Sequence, residues 1–212
     1  MKLEKLCLEK IKLSLTSKNI AVLISGGGTN LQAIIDNTKN NYINGNIKIV
    51  ISNKKNAYGL VRAENNDLKA VVINDDDLLI KSLKENEIDL IVLAGYLKIL
   101  PEKLTKIYEN KIINIHPSLI PSFCGKGFYG IKVHEDVIKK GVRYTGATTH
   151  FVNEGADEGP IIMQKITEVK NENPEELQQK VLKLEHEILV ESVKYFCEDK
   201  LKVVDGKVMI GG

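Results

Sequence analysis

Asn19-Ile-Ala-Val-Leu-Ile-Ser25 is an apolar run that leads into Gly26-Gly-Gly-Thr-Asn30 and then into the helix-like residues 31–37. A short continuous apolar run bounded by polar residues predicts a buried strand. The glycines predict a tight turn that lets a ligand approach the backbone, with open N–H groups at the start of the following helix. The same alternation recurs downstream. Residues 46–52 read as a second strand, 59–66 as a helix and 69–73 as a short third strand. Residues 75–85 suit a helix whose first turn is acidic, where the macrodipole favours negative charge. Residues 89–95 are another buried strand, Pro101 opens a helix to Asn110, and residues 111–116 are the next strand. Strands alternating with helices predict an α/β fold around a mainly parallel twisted sheet.

The pattern then changes. Residues 117–130 form a loop rich in Pro and Gly, and 131–140 a short helix. Residues 143–153 and 161–170 are extended runs with no helix between them, only Gly155-Ala-Asp-Glu-Gly-Pro160, which predicts an antiparallel pair. Asn173, or the residue before it, caps a long C-terminal helix with Pro174 at its first position. Leu177, Val181, Leu184 and Ile188 mark one apolar face of that helix. Residues 201–210 suit a hairpin around Asp205-Gly206. No repeat or low-complexity linker divides the chain. A single domain is expected over 19–212, preceded by an addition over 1–18 in which Leu3, Leu6, Ile11 and Leu15 lie near one face of an amphipathic helix.

Composition narrows the function. With 212 residues, 43% hydrophobic and 27% charged, the chain suits one ordinary globular domain. Its longest apolar stretch, residues 90–97, is far short of the roughly 20 needed to cross a bilayer. Thirty basic against 28 acidic residues leave a net charge of +2 and no concentrated basic run, which argues against nucleic-acid binding. Only Arg62 and Arg143 are arginines; this argues the same way, or reflects a lysine-biased composition. Cys7, Cys124 and Cys197 form no CxxC, so neither a disulfide framework nor a zinc ribbon is expected. No secretory signal opens the sequence, and a reducing cytoplasm is the expected compartment.

Two places carry chemistry. The glycine turn lacks the Lys-Ser/Thr of a Walker A loop and the last glycine of GxGxxG, so it reads as a phosphate site or as a tight turn without a ligand. Asn114-Ile-His116 ends an apolar strand, and period two puts Asn114 and His116 on one side. Ligands of open α/β sheets bind beyond such strand ends. There His116 can move a proton and Asn114 can donate to a developing oxyanion, or the histidine simply plugs the sheet end. Asp157, in its glycine-flanked loop, either approaches His116, holds its tautomer and raises its pKa, or is a turn aspartate bonded to its own backbone. His134 and His186 form no HExxH, and His150 in its strand reads as packing or hydrogen bonding. No histidine pair has metal-ligand spacing, so no metal is expected. Ser118 lacks a GxSxG context, and Cys124, beside Lys126, reads as a bystander.

Five segments together resemble the phosphoribosylglycinamide formyltransferases: Ile24-Ser-Gly-Gly-Gly-Thr-Asn-Leu-Gln-Ala-Ile-Ile35, Leu93-Ala-Gly-Tyr-Leu-Lys-Ile-Leu100, Ile113-Asn-Ile-His-Pro-Ser-Leu-Ile-Pro121, His150-Phe-Val-Asn-Glu-Gly-Ala-Asp-Glu-Gly-Pro-Ile161 and Leu184-Glu-His186. The resemblance runs over about residues 19–200 in the family's order. It implies a Rossmann-like fold and formyl transfer from 10-formyltetrahydrofolate to the amine of glycinamide ribonucleotide, in de novo purine synthesis, by a monomer or homodimer. It implies that Gly28, Thr29 and Asn30 hold the ribotide phosphate and that Glu185 contacts its sugar. Leu97, Lys98, Ile99, Leu100 and Asn114 would line the folate pocket, with Asn153, Glu154, Gly155, Ala156 and Asp157 over the pteridine. Asn114, a protonated His116 and Asp157 would form the catalytic trio.

Some residues depart from the family pattern. Residues 74–89 are shorter than in many relatives and hold no arginine, although Lys81 or Lys84 could substitute. Lys98 stands where arginine is common, and Leu182 replaces a polar residue. A formyltetrahydrofolate hydrolase, a methionyl-tRNA formyltransferase and a non-catalytic folate or ribotide binder are the competing readings. The first two fit the glycine turn poorly.

Overall fold

A computed structural model describes residues 17–211. The expected N-terminal helix lies outside the described residues, except that Lys18 opens the first strand. Nine strands and six helices follow among the described residues: β1 (Lys18–Ile24), α1 (Thr29–Lys39), β2 (Gly45–Ser52), α2 (Tyr58–Glu64), β3 (Ala70–Val72), α3 (Asp76–Glu85), β4 (Leu90–Leu93), α4 (Glu102–Ile107), β5 (Ile112–His116), α5 (Ile131–Lys140), β6 (Tyr144–Phe151), β7 (Ile161–Glu168), α6 (Pro174–Cys197), β8 (Leu201–Val204) and β9 (Lys207–Ile210). Seven strands make one sheet in the order β3-β2-β1-β4-β5-β6-β7, and β8 and β9 form a separate hairpin. The first five are parallel, whereas β6 and β7 run antiparallel.

Alternation along β1 divides the core into two layers. Ile20, Val22 and Ile24 pack with Leu31 and Ile34 of α1, Val133 of α5 and Val181 of α6. Ala21 and Leu23 face the other way, onto Leu79 and Leu83 of α3 and Leu104 of α4. All five β1 residues are fully buried, as a central parallel strand covered on both faces requires. Each buried aliphatic side chain contributes about 1.5–3 kcal/mol of transfer free energy.

Local chemistry sets the helix ends. The Asp75 side chain accepts from the Leu78 N–H at 2.7 Å and caps α3. Asn173 and Glu176 form a reciprocal capping box at α6, with Pro174 next in line. Along α6, Leu177, Val181 and Ile188 are buried as expected, but Leu184 is only half-buried and Glu185 is buried beside it. Helix α4 stops at Ile107, short of the expected Asn110, which adopts a left-handed φ of 55°.

The order of the sheet reverses between β1 and β4. The ends of these two strands and of neighbouring β5 therefore open on one crevice, the usual ligand position in such sheets.

Candidate active site

Strand β5 is the seam between the parallel and antiparallel halves. Its antiparallel register places Asn114 opposite His150 and His116 opposite Thr148. Asn114 Nδ2 lies 3.1 Å from His150 Nε2 and 3.4 Å from Asp157 Oδ1. Asp157 Oδ2 lies 3.5 Å from His116 Nδ1, and its Oδ1 lies 3.5 Å from His150 Nε2. The Gly125 N–H also donates to Asp157 Oδ2, at 2.8 Å. Asp157 makes this reach with φ at 60°, a left-handed conformation that aspartate tolerates.

The loop after β5 folds back over His116. A carbonyl can only accept, so His116 Nε2–H donates to Phe123 O at 2.8 Å. The loop is held from below: Thr148 Oγ1 donates to Ser118 O at 2.6 Å and accepts from the Ile120 N–H at 3.1 Å. Gln164 Nε2 adds a bond to Ile120 O at 2.9 Å. Burial pushes the His116 pKa below its ordinary value, against the opposing pull of Asp157 and Phe123. Asp157 pulls its pKa up, but desolvation outweighs that pull. Asp157 itself is drawn below the usual carboxylate range. Burial raises its pKa, but His150, the His116 ring and the Gly125 N–H lower it further.

The glycine turn lies at the end of β1. Ser25 N–H donates to Gly95 O at 3.1 Å, and Ser25 Oγ accepts from the Leu97 N–H at 2.8 Å. The same hydroxyl donates to Asn53 Oδ1 at 2.6 Å. Gly28 has φ 72°, and a Cβ there would stand 2.7 Å from Gly59 Cα, so the starts of α1 and α2 touch through two glycines. Helix α1 begins with no side-chain cap and no acidic residue in its first turn, which leaves its first N–H groups open. Asn30 Nδ2 donates to Glu185 Oε2 at 2.9 Å across 155 residues of sequence. The buried Asn30 Oδ1 has no partner among the described residues. Burial pushes the Glu185 pKa up, with Asn30 pulling the other way.

The remaining candidates flank these two clusters. Leu97 is 50% and Ile99 79% exposed, which makes an apolar lip after β4. Leu100 packs partly buried against the core behind it. The Lys98 ammonium donates to Asn74 O and to Asp76, at 2.5 and 2.6 Å, and so ties the lip to the start of α3. Lys81 pairs with Glu85 within α3. In the second loop, the Gly155 N–H donates to Asn153 Oδ1 at 3.1 Å, Ala156 is exposed, and Glu154 lies 3.4 Å from Lys106. Cys124 bonds to Pro121 O at 3.2 Å. Its thiol pKa is pushed up by burial and by the Asp157 and Glu158 charges.

A formyl transferase family model matches residues 18–193. The phosphoribosylglycinamide formyltransferase of Haemophilus influenzae is 40% identical over 205 residues, which cover 92% of this chain and 94% of that protein. The chain belongs to the phosphoribosylglycinamide formyltransferase family. A chloroplastic member from Arabidopsis thaliana is also 40% identical, over 87% of this chain and 67% of its own length. The crystal structure of glycinamide ribonucleotide transformylase 1 from Symbiobacterium toebii superposes with a TM-score of 0.87 at 35% identity, covering 93% of this chain and 95% of that one. A formyltetrahydrofolate deformylase from Pseudomonas syringae gives 0.85 at 26% identity, over 92% of this chain and 66% of its own.

In this formyltransferase the polar cluster holds a fourth member, His150, which its sequence position did not single out. The signal that finds it is the antiparallel register opposite Asn114, and no local pattern encodes that register. Among the described residues no helix is long and apolar enough to cross a membrane. No group of three His, Cys, Asp or Glu among them is placed to hold a metal.

Proposed function

We propose that this formyltransferase moves the formyl group of 10-formyltetrahydrofolate to the amine of 5'-phosphoribosylglycinamide, giving N-formylglycinamide ribonucleotide and tetrahydrofolate in purine synthesis. Residues 19–212 act as one catalytic domain. The observation that carries the reading is the convergence of Asn114, His116 and Asp157 within 3.5 Å contacts at the end of β5. Gly28, Thr29 and Asn30 take the ribotide phosphate and Glu185 its sugar. Leu97 to Leu100 and the 153–157 loop take the folate. The free thiols of Cys124 and Cys197 support a reducing compartment such as the cytoplasm.

The chemistry follows from the resting charge of the site. The substrate amine attacks the formyl carbon, and the carbonyl oxygen becomes an oxyanion that the Asn114 amide stabilises. The attacking nitrogen must then lose a proton. His116 starts neutral with its Nε2–H held by Phe123 O, so the lone pair is on Nδ1. A proton accepted there turns toward Asp157 Oδ2, whose negative charge stabilises the imidazolium. Return of that proton to N10 lets tetrahydrofolate leave.

The test follows deformylation of 10-formyltetrahydrofolate with and without glycinamide ribonucleotide. Folate product that requires the ribotide, formed together with the formylated ribotide, establishes transfer. The structural likeness to a deformylase favours one competing reading, in which water replaces the amine, and product without ribotide selects it. Loss of one oxyanion donor costs about 2.7–4 kcal/mol, so Asn114→Ala should lose at least on the order of a hundredfold in kcat. Near-wild-type turnover in that variant contradicts the assigned role.

A further inference from the structure

Arg62 lies one turn into α2, and its side chain runs along the glycine turn. Nε–H donates to Gly27 O at 2.8 Å. Its Cδ would stand 3.4 Å from a Cβ built on Gly28. On the other side the guanidinium carbon lies 5.1 Å from the centre of the Tyr58 ring. The side chain is therefore fixed between an aromatic face and the turn that begins α1.

What the guanidinium lacks is an anion. Among the described residues no carboxylate lies within ion-pair distance of it and no acceptor meets its terminal amino groups, Nε–H being the one donor engaged. The lysines around the folate lip differ, because they already have partners. Lys98 binds Asp76, Lys103 binds Asp77, and Lys106 binds Glu102 and Glu154. Guanidinium carries five N–H donors in a planar fork suited to phosphate, and one of them is used here. Through Gly27 it stands against the turn that opens α1, whose first N–H groups have no side-chain cap.

We propose that Arg62 is the phosphate-directed cation of the ribotide site, which selects the 5'-phosphorylated substrate over the corresponding nucleoside while its Nε–H braces the turn. This inference rests on the formyl-transfer reading above and adds the residue that reads the phosphate. Arg62 then acts on substrate binding and leaves the chemistry at the formyl carbon to the β5 cluster.

The experiment compares the wild type, Arg62→Gln and Arg62→Lys, with the ribotide and with its dephosphorylated ribonucleoside as formyl acceptors. Arg62→Gln should raise the ribotide KM about 10- to 100-fold, the range of a charge-assisted hydrogen-bonded contact. The kcat, the KM for 10-formyltetrahydrofolate and the kcat/KM for the nucleoside should stay within about twofold. Arg62→Lys, which keeps the charge without the fork, should fall between. Equal losses for ribotide and nucleoside would show that Arg62 only braces the turn and would overturn the inference, as would an unchanged ribotide KM. If the wild type transfers no formyl group, the functional reading fails separately. In that case a rise in Tm with ribose 5-phosphate, absent with ribose and lost in Arg62→Gln, upholds the phosphate role, and no rise in the wild type overturns it.

Discussion

Glu185, proposed above to meet the ribotide sugar, would set folding against binding within a single side chain. It is 8% exposed, and its one side-chain partner is Asn30. Burial raises its folded pKa above the unfolded value, so the folded state binds more protons. Stability therefore falls as pH rises above the unfolded carboxylate value, and the buried group weakens the fold on the alkaline side. Glu185→Gln removes the buried charge and keeps an oxygen for the Asn30 amide. Calorimetry at pH 8 should show a higher Tm, and kinetics a higher ribotide KM; a lower Tm would contradict this account. At the same scale, Asn114 and His116 are legible in the sequence because they sit two apart on a strand that ends in proline. The lowered pKa of His116 is not, because its desolvation comes with the loop that folds back to Phe123 over it. His150 and Arg62 escape for a related reason. Each is placed by packing between elements far apart in sequence, and neither carries a local pattern of its own.

At the scale of elements, the contact between α1 and α2 constrains the glycine turn proposed to take the ribotide phosphate. A Cβ on Gly28 would meet Gly59 Cα at 2.7 Å, in backbone that cannot swing aside, at a φ of 72° that disfavours any side chain. Gly28→Ala should cost about 1–3 kcal/mol in urea unfolding and weaken ribotide binding as the two helix starts separate. Unchanged unfolding would show that the contact relaxes freely. Element boundaries were readable where their chemistry is local. Asn173, Pro174 and Glu176 name the start of α6 unaided, and Asp205-Gly206 names the terminal turn. The end of α4 was over-read by three residues, from Ile107 to Asn110, because no glycine or proline stands there. Alternating strands and helices predicted the parallel sheet and the adjacent extended runs its antiparallel end.

For the molecule as a whole, buried histidines contribute to acid sensitivity. Burial lowers the pKa of His116, His134 and His186, that of His134 to about 4. Between those folded values and the unfolded value of 6.5 the unfolded chain binds more protons. The His134 share of the stability is thus fully present above about pH 6.5 and is lost as pH falls toward 4, against the opposite trend from Glu185. The drop from 6.5 to about 4 corresponds to about 3 kcal/mol for His134 alone. Denaturant unfolding from pH 7 to 4 should show this decline, and His134→Leu should flatten its own share. An unchanged slope in that variant would assign the acid sensitivity elsewhere.

The bond from the Gly125 N–H to Asp157 Oδ2 joins two loops 32 positions apart in the chain and closes a ring around α5 and β6. Asp157 is therefore a tether as well as a charge. Truncation to alanine opens the ring, and the freed loops regain entropy that grows only slowly with their length. Activity lost by that variant mixes a missing anion with a slackened frame. Asparagine keeps an oxygen for Gly125 but loses the charge and the acceptor that faces Asn114, so the difference between the two substitutions isolates the tether.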